Sequence, residues 1–397
     1  ELENTLINMS LEDTHQLPPE SVALAVNLAS IACQQSPQEA LQIEKTCASF
    51  RQYACFQRTA RSCQAHRISM LADSGAFPPA LRGGTDEFEA RDRQMIDAEI
   101  RNQFFFDSVL MSMGVPNSQD PAVSGEGVVN DDCAGKVKSV LKSIARDWTA
   151  AGAEERSESY GPMIEGVTKY VKRGGRVLVP GAGLGRLALE IYQQGYEVQG
   201  NEFTYHMLFV SDFILNRCGI AADDSFRISP FLGATCNVHR VEDMTRTAIV
   251  PDIDPQAALQ KQPEEVRALN LEFSMSAGEF CAVYGKQEET GEWDAVASCF
   301  FLDTAPNLVD YFRVIHSCLS EDGVLINFGP LLYHWSGPVL RPGETLEMYY
   351  EHNKHMDARY MSSVDLCWED IKQIMSNVGF EIIEERTGIN ATYTKDE

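Results

Sequence analysis

The stretch from Val177 to Leu187 reads VLVPGAGLGRL, an apolar run that breaks into three glycines at alternate positions. A strand ending at Val179, with Gly181, Gly183 and Gly185 opening a helix from Arg186, has the shape of a first strand-to-helix turn in a doubly wound sheet. Glycines there let a ligand come close to the backbone, although a glycine turn also closes many ordinary loops. Glu202 follows Asn201 at the end of a second apolar run, nineteen positions after Gly183. An acid at that spacing can accept both hydroxyls of an adenosine ribose; a solvated strand-end glutamate is the plain alternative.

Three further groups could complete a site. Ser276-Ala277-Gly278-Glu279-Phe280 puts an acid, Glu279, and an apolar residue, Phe280, where such folds surround adenine, or else forms a simple turn. Asp303 follows an apolar run from Trp293 to Phe301, and an acid at the carboxyl end of a parallel strand is where catalytic groups sit. Its competing role is to cap a helix from Asn307 onward. His352, His355 and Asp357 are metal-ligand types at helical spacing, but without a further ligand they read as a solvated helix face, so no metal is expected.

These residues need a scaffold, and the apolar pattern supplies one. Arg176–Val179, Tyr196–Gly200, Trp293–Phe300 and Gly323–Phe328 are short apolar runs alternating with helical segments, including a helix Leu308–Leu319 and a turn Ser320–Gly323, which predicts βαβ units and a parallel sheet. Upstream, Ile43, Cys47, Phe50 and Ala54, and then Ile96, Ile100 and Phe104, recur at helical spacing. One further helix ends at Arg146, Asp147 and Trp148, and another spans Glu154–Val171. The expected organisation is a poorly anchored leader over 1–40, a helical region over 41–172 with a loop near 116–132, and a Rossmann-like domain over 173–397.

Composition narrows the function. The net charge of −25 over 397 residues opposes phosphate backbones and argues against a nucleic-acid partner. No run approaches the roughly 18 apolar residues of a membrane helix, so no membrane partner is expected. Eleven cysteines without CxxC pairs suggest reduced thiols and a cytoplasmic setting, with the nucleus as a second compartment. Dinucleotide oxidoreductases share the glycine loop and the acid, but their usual spacing is GxGxxG. GAGLGR, with the acid-glycine turn at Ser320–Gly323, points instead to methyl transfer.

Taken together, VLVPGAGLGRLALE, QGNEF, FSMSAGEF, CFFLDTA and INFGPLLYHW resemble the carnosine N-methyltransferase family, as do ARDWTAAGAEERSESYGPMI upstream and ATYTKDE at the end. The likeness runs from Ile43 to Glu397 and is strongest from Arg146 to Trp335. It implies a class I methyltransferase fold and transfer of a methyl from S-adenosylmethionine to a ring nitrogen of the histidine in carnosine, giving anserine. A protein histidine is the alternative acceptor, and a noncatalytic S-adenosylmethionine-binding scaffold is a rival of another class. Carried over residue by residue, the cofactor site comprises Arg146, Gly181, Gly183, Glu202, Glu279, Phe280 and Cys299, and the substrate site Asp303, His334 and Tyr393. Arg146 would clasp the methionyl carboxylate, with a structural salt bridge as its other reading. Asp303 would accept the ring N–H. His334 would meet the dipeptide's carboxylate or amine unless it is a satisfied buried histidine, and Tyr393 would offer its hydroxyl unless it only packs. The sequence departs from the family at Ser143, where a glutamine is expected, and in a long insertion between Gly337 and Tyr360. It also stops before a tyrosine-rich terminal strand, and so reads as a fragment.

Overall fold

The computed structural model describes residues 37–71, 77–115, 131–219, 225–236, 238–334, 337–356, 361 and 363–392. Most of the expected leader and of the 116–132 loop, together with Asp357 and Tyr393, lies outside them. Seven strands are present among the described residues: β1 (Arg176–Pro180), β2 (Glu197–Glu202), β3 (Phe226–Ile228), β4 (Ala248–Val250), β5 (Phe273–Ala277), β6 (Trp293–Cys299) and β7 (Leu319–Phe328). Contacts divide the chain into two compact units, one holding Glu1–Ala153, Thr204–Ala258 and Tyr393–Glu397, the other Glu154–Phe203 and Leu259–Thr392.

The second unit carries an all-parallel sheet in the order β5-β2-β1-β6-β7. β1 is central and buried over Val177–Pro180, as expected for a strand covered on both faces. The chain leaves β1 toward β2 on one side and returns to β6 on the other, so the strand order reverses beside β1. That reversal opens a crevice at the carboxyl ends. The helix Leu308–Cys318 covers the sheet with Leu308, Phe312 and Ile315, which join Val296, Phe280 and Trp293 in one apolar cluster. Each such side chain contributes roughly 1.5–3 kcal/mol by leaving water. On the helix Ala153–Tyr170, Gly166 lies so close to β7 that a Cβ would meet Ile326 Cγ2 at 2.9 Å.

β7 corrects the expected order at its start. Ser320–Gly323 falls inside the bounds of β7, which starts at Leu319, so the expected turn interrupts the strand instead of preceding it. The pairing with β6 shifts register there between Trp293 and Ala295, and the chain folds back so tightly that a Cβ on Gly323 would stand 3.0 Å from Leu319 Cβ.

The first unit packs the helices Pro37–Arg51, Tyr53–Leu71, Asp86–Ser112, Asp131–Trp148 and Tyr205–Arg217 with the antiparallel pair β3 and β4. Phe50 stacks on Phe106 at 4.7 Å, and Tyr53, Phe105 and Phe213 close the aromatic core. The period read from Ile96, Ile100 and Phe104 marks a real helix but not its buried face. Ile100 and Phe104 are 59% and 63% exposed, while Ala98, Phe105, Phe106, Val109 and Leu110 face inward. Two apolar stripes share this helix, and tertiary packing selects the one with more aromatic area.

Candidate active site

Every element of the second unit's crevice starts at a strand end. After β1, Gly181, Gly183 and Gly185 all adopt left-handed backbone, with φ of 62°, 54° and 80°. Gly185 caps the helix Arg186–Gln193 in that conformation, which a side chain would oppose. The glycines differ in surroundings. A Cβ on Gly181 would strike Phe301 Cδ2 at 2.6 Å, whereas one on Gly183 would meet no heavy atom within 4 Å. Gly181 therefore serves close packing, and Gly183 offers bare backbone to whatever enters the crevice.

Glu202 closes this loop from the end of β2. Its Oε2 accepts the Gly183 amide at 3.0 Å and its Oε1 the Phe203 amide at 2.9 Å. Asn201, 2% exposed, accepts the Ala182 amide through its carbonyl at 2.8 Å and donates its side-chain amide to Gly278 O at 3.2 Å. The Gly278 amide reaches Glu202 O at 3.0 Å. The loops after β5, β2 and β1 are thus bonded edge to edge.

The same continuity extends to β6 and β7. Phe301 supplies the wall against Gly181, and the Phe300 amide donates to Phe328 O at 2.8 Å. Asp303, 2% exposed, sits in a short 3-10 turn, Leu302–Thr304. Its Oδ2 accepts the Leu332 amide at 3.0 Å, and its backbone carbonyl accepts the His334 amide at 3.1 Å. Asp303 does not cap the following helix; Asn307 does, accepting the Val309 amide at 3.0 Å. A buried carboxylate with one oxygen engaged by a single N–H keeps acceptor capacity for a further donor.

The remaining sequence candidates are placed as follows. Glu279 caps the helix Phe280–Tyr284 by accepting the Ala282 amide at 2.8 Å, and Phe280 is buried among Tyr284, Phe301 and Tyr311. Cys299 ends β6, half-buried, and His334 is exposed. Arg146 belongs to the other unit, where its guanidinium forms a forked pair with buried Asp147 at 2.6 and 3.0 Å. Ser143 is buried on the same helix. His352 contacts Glu344 at 2.6 Å, and among the described residues no three His, Cys, Asp or Glu side chains are grouped to hold a metal ion. No helix among them is long and apolar enough to cross a membrane.

Two contributors escaped the sequence reading. Phe203 is 60% exposed directly after Glu202, a signal visible in the sequence only as an aromatic at a strand end. Leu332 holds Asp303 Oδ2 through its backbone amide, so its residue type gave no sign.

A parallel sheet with its order reversed at β1, a glycine loop and an acid on the next strand define a Rossmann-like fold, the frame that S-adenosylmethionine-dependent methyltransferases share with dinucleotide enzymes. The chain belongs to the carnosine N-methyltransferase family, whose profile matches residues 125–397. It is 37% identical over 274 residues to a carnosine N-methyltransferase of Schizosaccharomyces pombe, covering 68% of each chain. It is 36% identical over 265 residues to that of Rattus norvegicus, covering 65% of this chain and 58% of the relative. The Drosophila melanogaster relative is 36% identical over 267 residues, 66% of this chain and 51% of its own. The matched region thus spans about half to two thirds of these relatives' lengths. A solved phosphoethanolamine N-methyltransferase 2 of Haemonchus contortus aligns with a TM-score of 0.32 at 13% identity, over 63% of this chain and 43% of its own.

Proposed function

We propose that this chain methylates a ring nitrogen of the histidine in carnosine, giving anserine. The observation that carries the reading is Asp303: a carboxylate 2% exposed, at the carboxyl end of a central strand, with Oδ2 held by Leu332 N–H and Oδ1 without a hydrogen-bond partner among the described residues.

The crevice fits the methyl donor. Gly183 has room where a Cβ would stand, and Glu202 sets its carboxylate beside that space by accepting the Gly183 and Phe203 amides. Gly181, Gly183 and Glu202 would hold the adenosyl part, with Glu279, Phe280 and Cys299 shaping the wall. S-adenosylmethionine, when bound, supplies an electrophilic methyl on a sulfonium.

The protein's own task is then to present a neutral imidazole nitrogen with its lone pair aimed at that methyl. Asp303 does so by accepting the N–H of the other ring nitrogen, which fixes both tautomer and ring direction. As the ring gains positive charge, the same carboxylate stabilises it by on the order of 3 kcal/mol without having to reorganise. His334, tethered to Asp303 through its backbone, would meet the charged ends of the dipeptide. The same arrangement would orient a histidine within a protein, which makes a histidine peptide the natural control. The ten cysteines among the described residues are all free thiols, which supports a reducing compartment, and we place the protein in the cytoplasm.

Replacing Asp303 by Ala is expected to abolish methylation of carnosine while leaving S-adenosylhomocysteine binding within about twofold of wild type. Turnover at the wild-type rate in that variant would refute the assignment.

A further inference from the structure

Only three non-glycine residues among the described ones have left-handed backbone: Asn270, Phe300 and Tyr333, with φ of 50°, 52° and 48°. Two of the three flank Asp303, one on each of the loops that follow β6 and β7. A bulky residue holds this conformation only where its surroundings impose it, and such positions gather at functional sites.

Tyr333 shows what imposes it. Its neighbours on either side both bond to Asp303, Leu332 through its amide to Oδ2 at 3.0 Å and His334 through its amide to the carbonyl at 3.1 Å. The left-handed residue between them turns the chain so that both amides face the same aspartate. Glycine would make this turn at lower cost. A tyrosine brings something glycine lacks. Its ring packs against the apolar cluster under the helix Leu308–Cys318, and its hydroxyl donates to the carbonyl of Leu366. Burial raises the pKa of the phenol, so the hydroxyl remains a neutral donor.

We propose that Tyr333 is a positioning residue that acts through Asp303: anchored on Leu366, it locks the Leu332–His334 turn as a bracket that fixes the Asp303 carboxylate and leaves Oδ1 for the acceptor's N–H. Phe300 completes the bracket from the other loop. Its amide is tied to Phe328 O at 2.8 Å, and Gly329 packs so closely that a Cβ there would stand 3.2 Å from the Phe300 backbone. The inference rests on the reading of Asp303 as the group that orients the imidazole.

The test uses the Tyr333→Phe variant of the full chain, which keeps the ring and loses only the anchor. Amide hydrogen exchange is followed by mass spectrometry on peptides covering 329–334 and 177–187, beside kcat and KM with carnosine and the affinity for S-adenosylhomocysteine. The expected result is exchange roughly tenfold faster in 329–334 alone, with kcat down about tenfold and cofactor affinity held within about twofold. A purely structural role would lower cofactor affinity together with kcat. Unchanged exchange, unchanged kcat, or cofactor affinity falling in step with kcat each overturns the proposal. A wild type that leaves carnosine unmethylated while the exchange contrast stands would remove the substrate reading and support the bracket on the exchange result.

Discussion

Glu202 holds Gly183: the Gly183 amide donates to Oε2 at 3.0 Å, so the acid ending β2 and the apex of the glycine loop are fixed to each other. The other oxygen takes the Phe203 amide at 2.9 Å, and the carboxylate is therefore oriented before any ribose arrives. A preoriented acceptor spends little of its binding energy on ordering itself.

Replacing Glu202 by Gln keeps the size and one acceptor oxygen but removes the charge. A hydrogen bond to a charged group contributes about 1.5–3 kcal/mol against 0.5–1.5 for a neutral one. Isothermal titration with S-adenosylhomocysteine is expected to show at least a roughly tenfold loss of affinity, one decade being about 1.4 kcal/mol. An affinity equal to wild type would remove Glu202 from the binding site.

Gly181 and Gly183 separate packing from ligand approach. Gly181→Ala meets both a left-handed φ of 62° and the Phe301 ring at 2.6 Å, so it should destabilise the fold by roughly 2–4 kcal/mol. Gly183→Ala carries the backbone penalty alone, about 1–2 kcal/mol, because nothing in the protein opposes its Cβ. Thermal denaturation should therefore rank Gly181→Ala below Gly183→Ala, while the cofactor affinity of the folded Gly183→Ala protein falls because its methyl faces the ligand. The reverse order in stability would contradict the loop geometry.

The parts of this site differ in how plainly the sequence announces them. The glycine loop, Glu202 and Asp303 are legible because each needs a particular residue type at a fixed place relative to an apolar run. The helix Asp131–Trp148 ends where expected but starts earlier, within the stretch read as loop, and Ala153–Tyr170 matches the expected 154–171 to within one residue at each end. The bracket on Asp303 is not legible: a backbone amide from Leu332 leaves no trace in residue type, and the left-handed φ of Tyr333 arises from contacts distant in sequence. Nothing in composition marks Thr204–Ala258 as packing with the helical segments, since its helix Tyr205–Arg217 is apolar on most sides and suits either unit. The buried stripe of Asp86–Ser112 was hidden for a related reason, because periodicity fixes a helix but not its phase when two apolar stripes compete.

Acid should loosen the segment that follows the helix Trp368–Val378 before it unfolds the sheet. Glu384 accepts hydrogen bonds from Lys169 Nζ at 2.7 Å, Tyr170 Oη at 2.6 Å and Arg386 Nε at 2.7 Å. Lys169 first, then Tyr170 and Arg386, hold its carboxyl down to about 2 from an ordinary 4.5. A carboxyl lowered on folding stabilises the folded state fully above its unfolded value and loses that contribution as pH falls through the folded one. The loss should therefore span pH 4.5 to 2, and because these groups are exposed it should shrink in high salt. Exchange of peptides covering 381–392 should quicken in that window for wild type and show a weaker pH dependence in Glu384→Gln; identical profiles would dissociate the ion pairs from the order of this segment.

The central claim is that Asp303 aims a free imidazole at the methyl donor, with carnosine as the acceptor. Its most direct test is incubation of the protein with S-adenosylmethionine and, side by side, carnosine and a histidine-containing peptide, with products resolved by mass spectrometry and the methylated atom identified by NMR. The account predicts one added methyl on the carnosine ring, absent with Asp303→Ala. Unmodified carnosine beside a methylated peptide, or methyl transfer that survives the loss of Asp303, would contradict it.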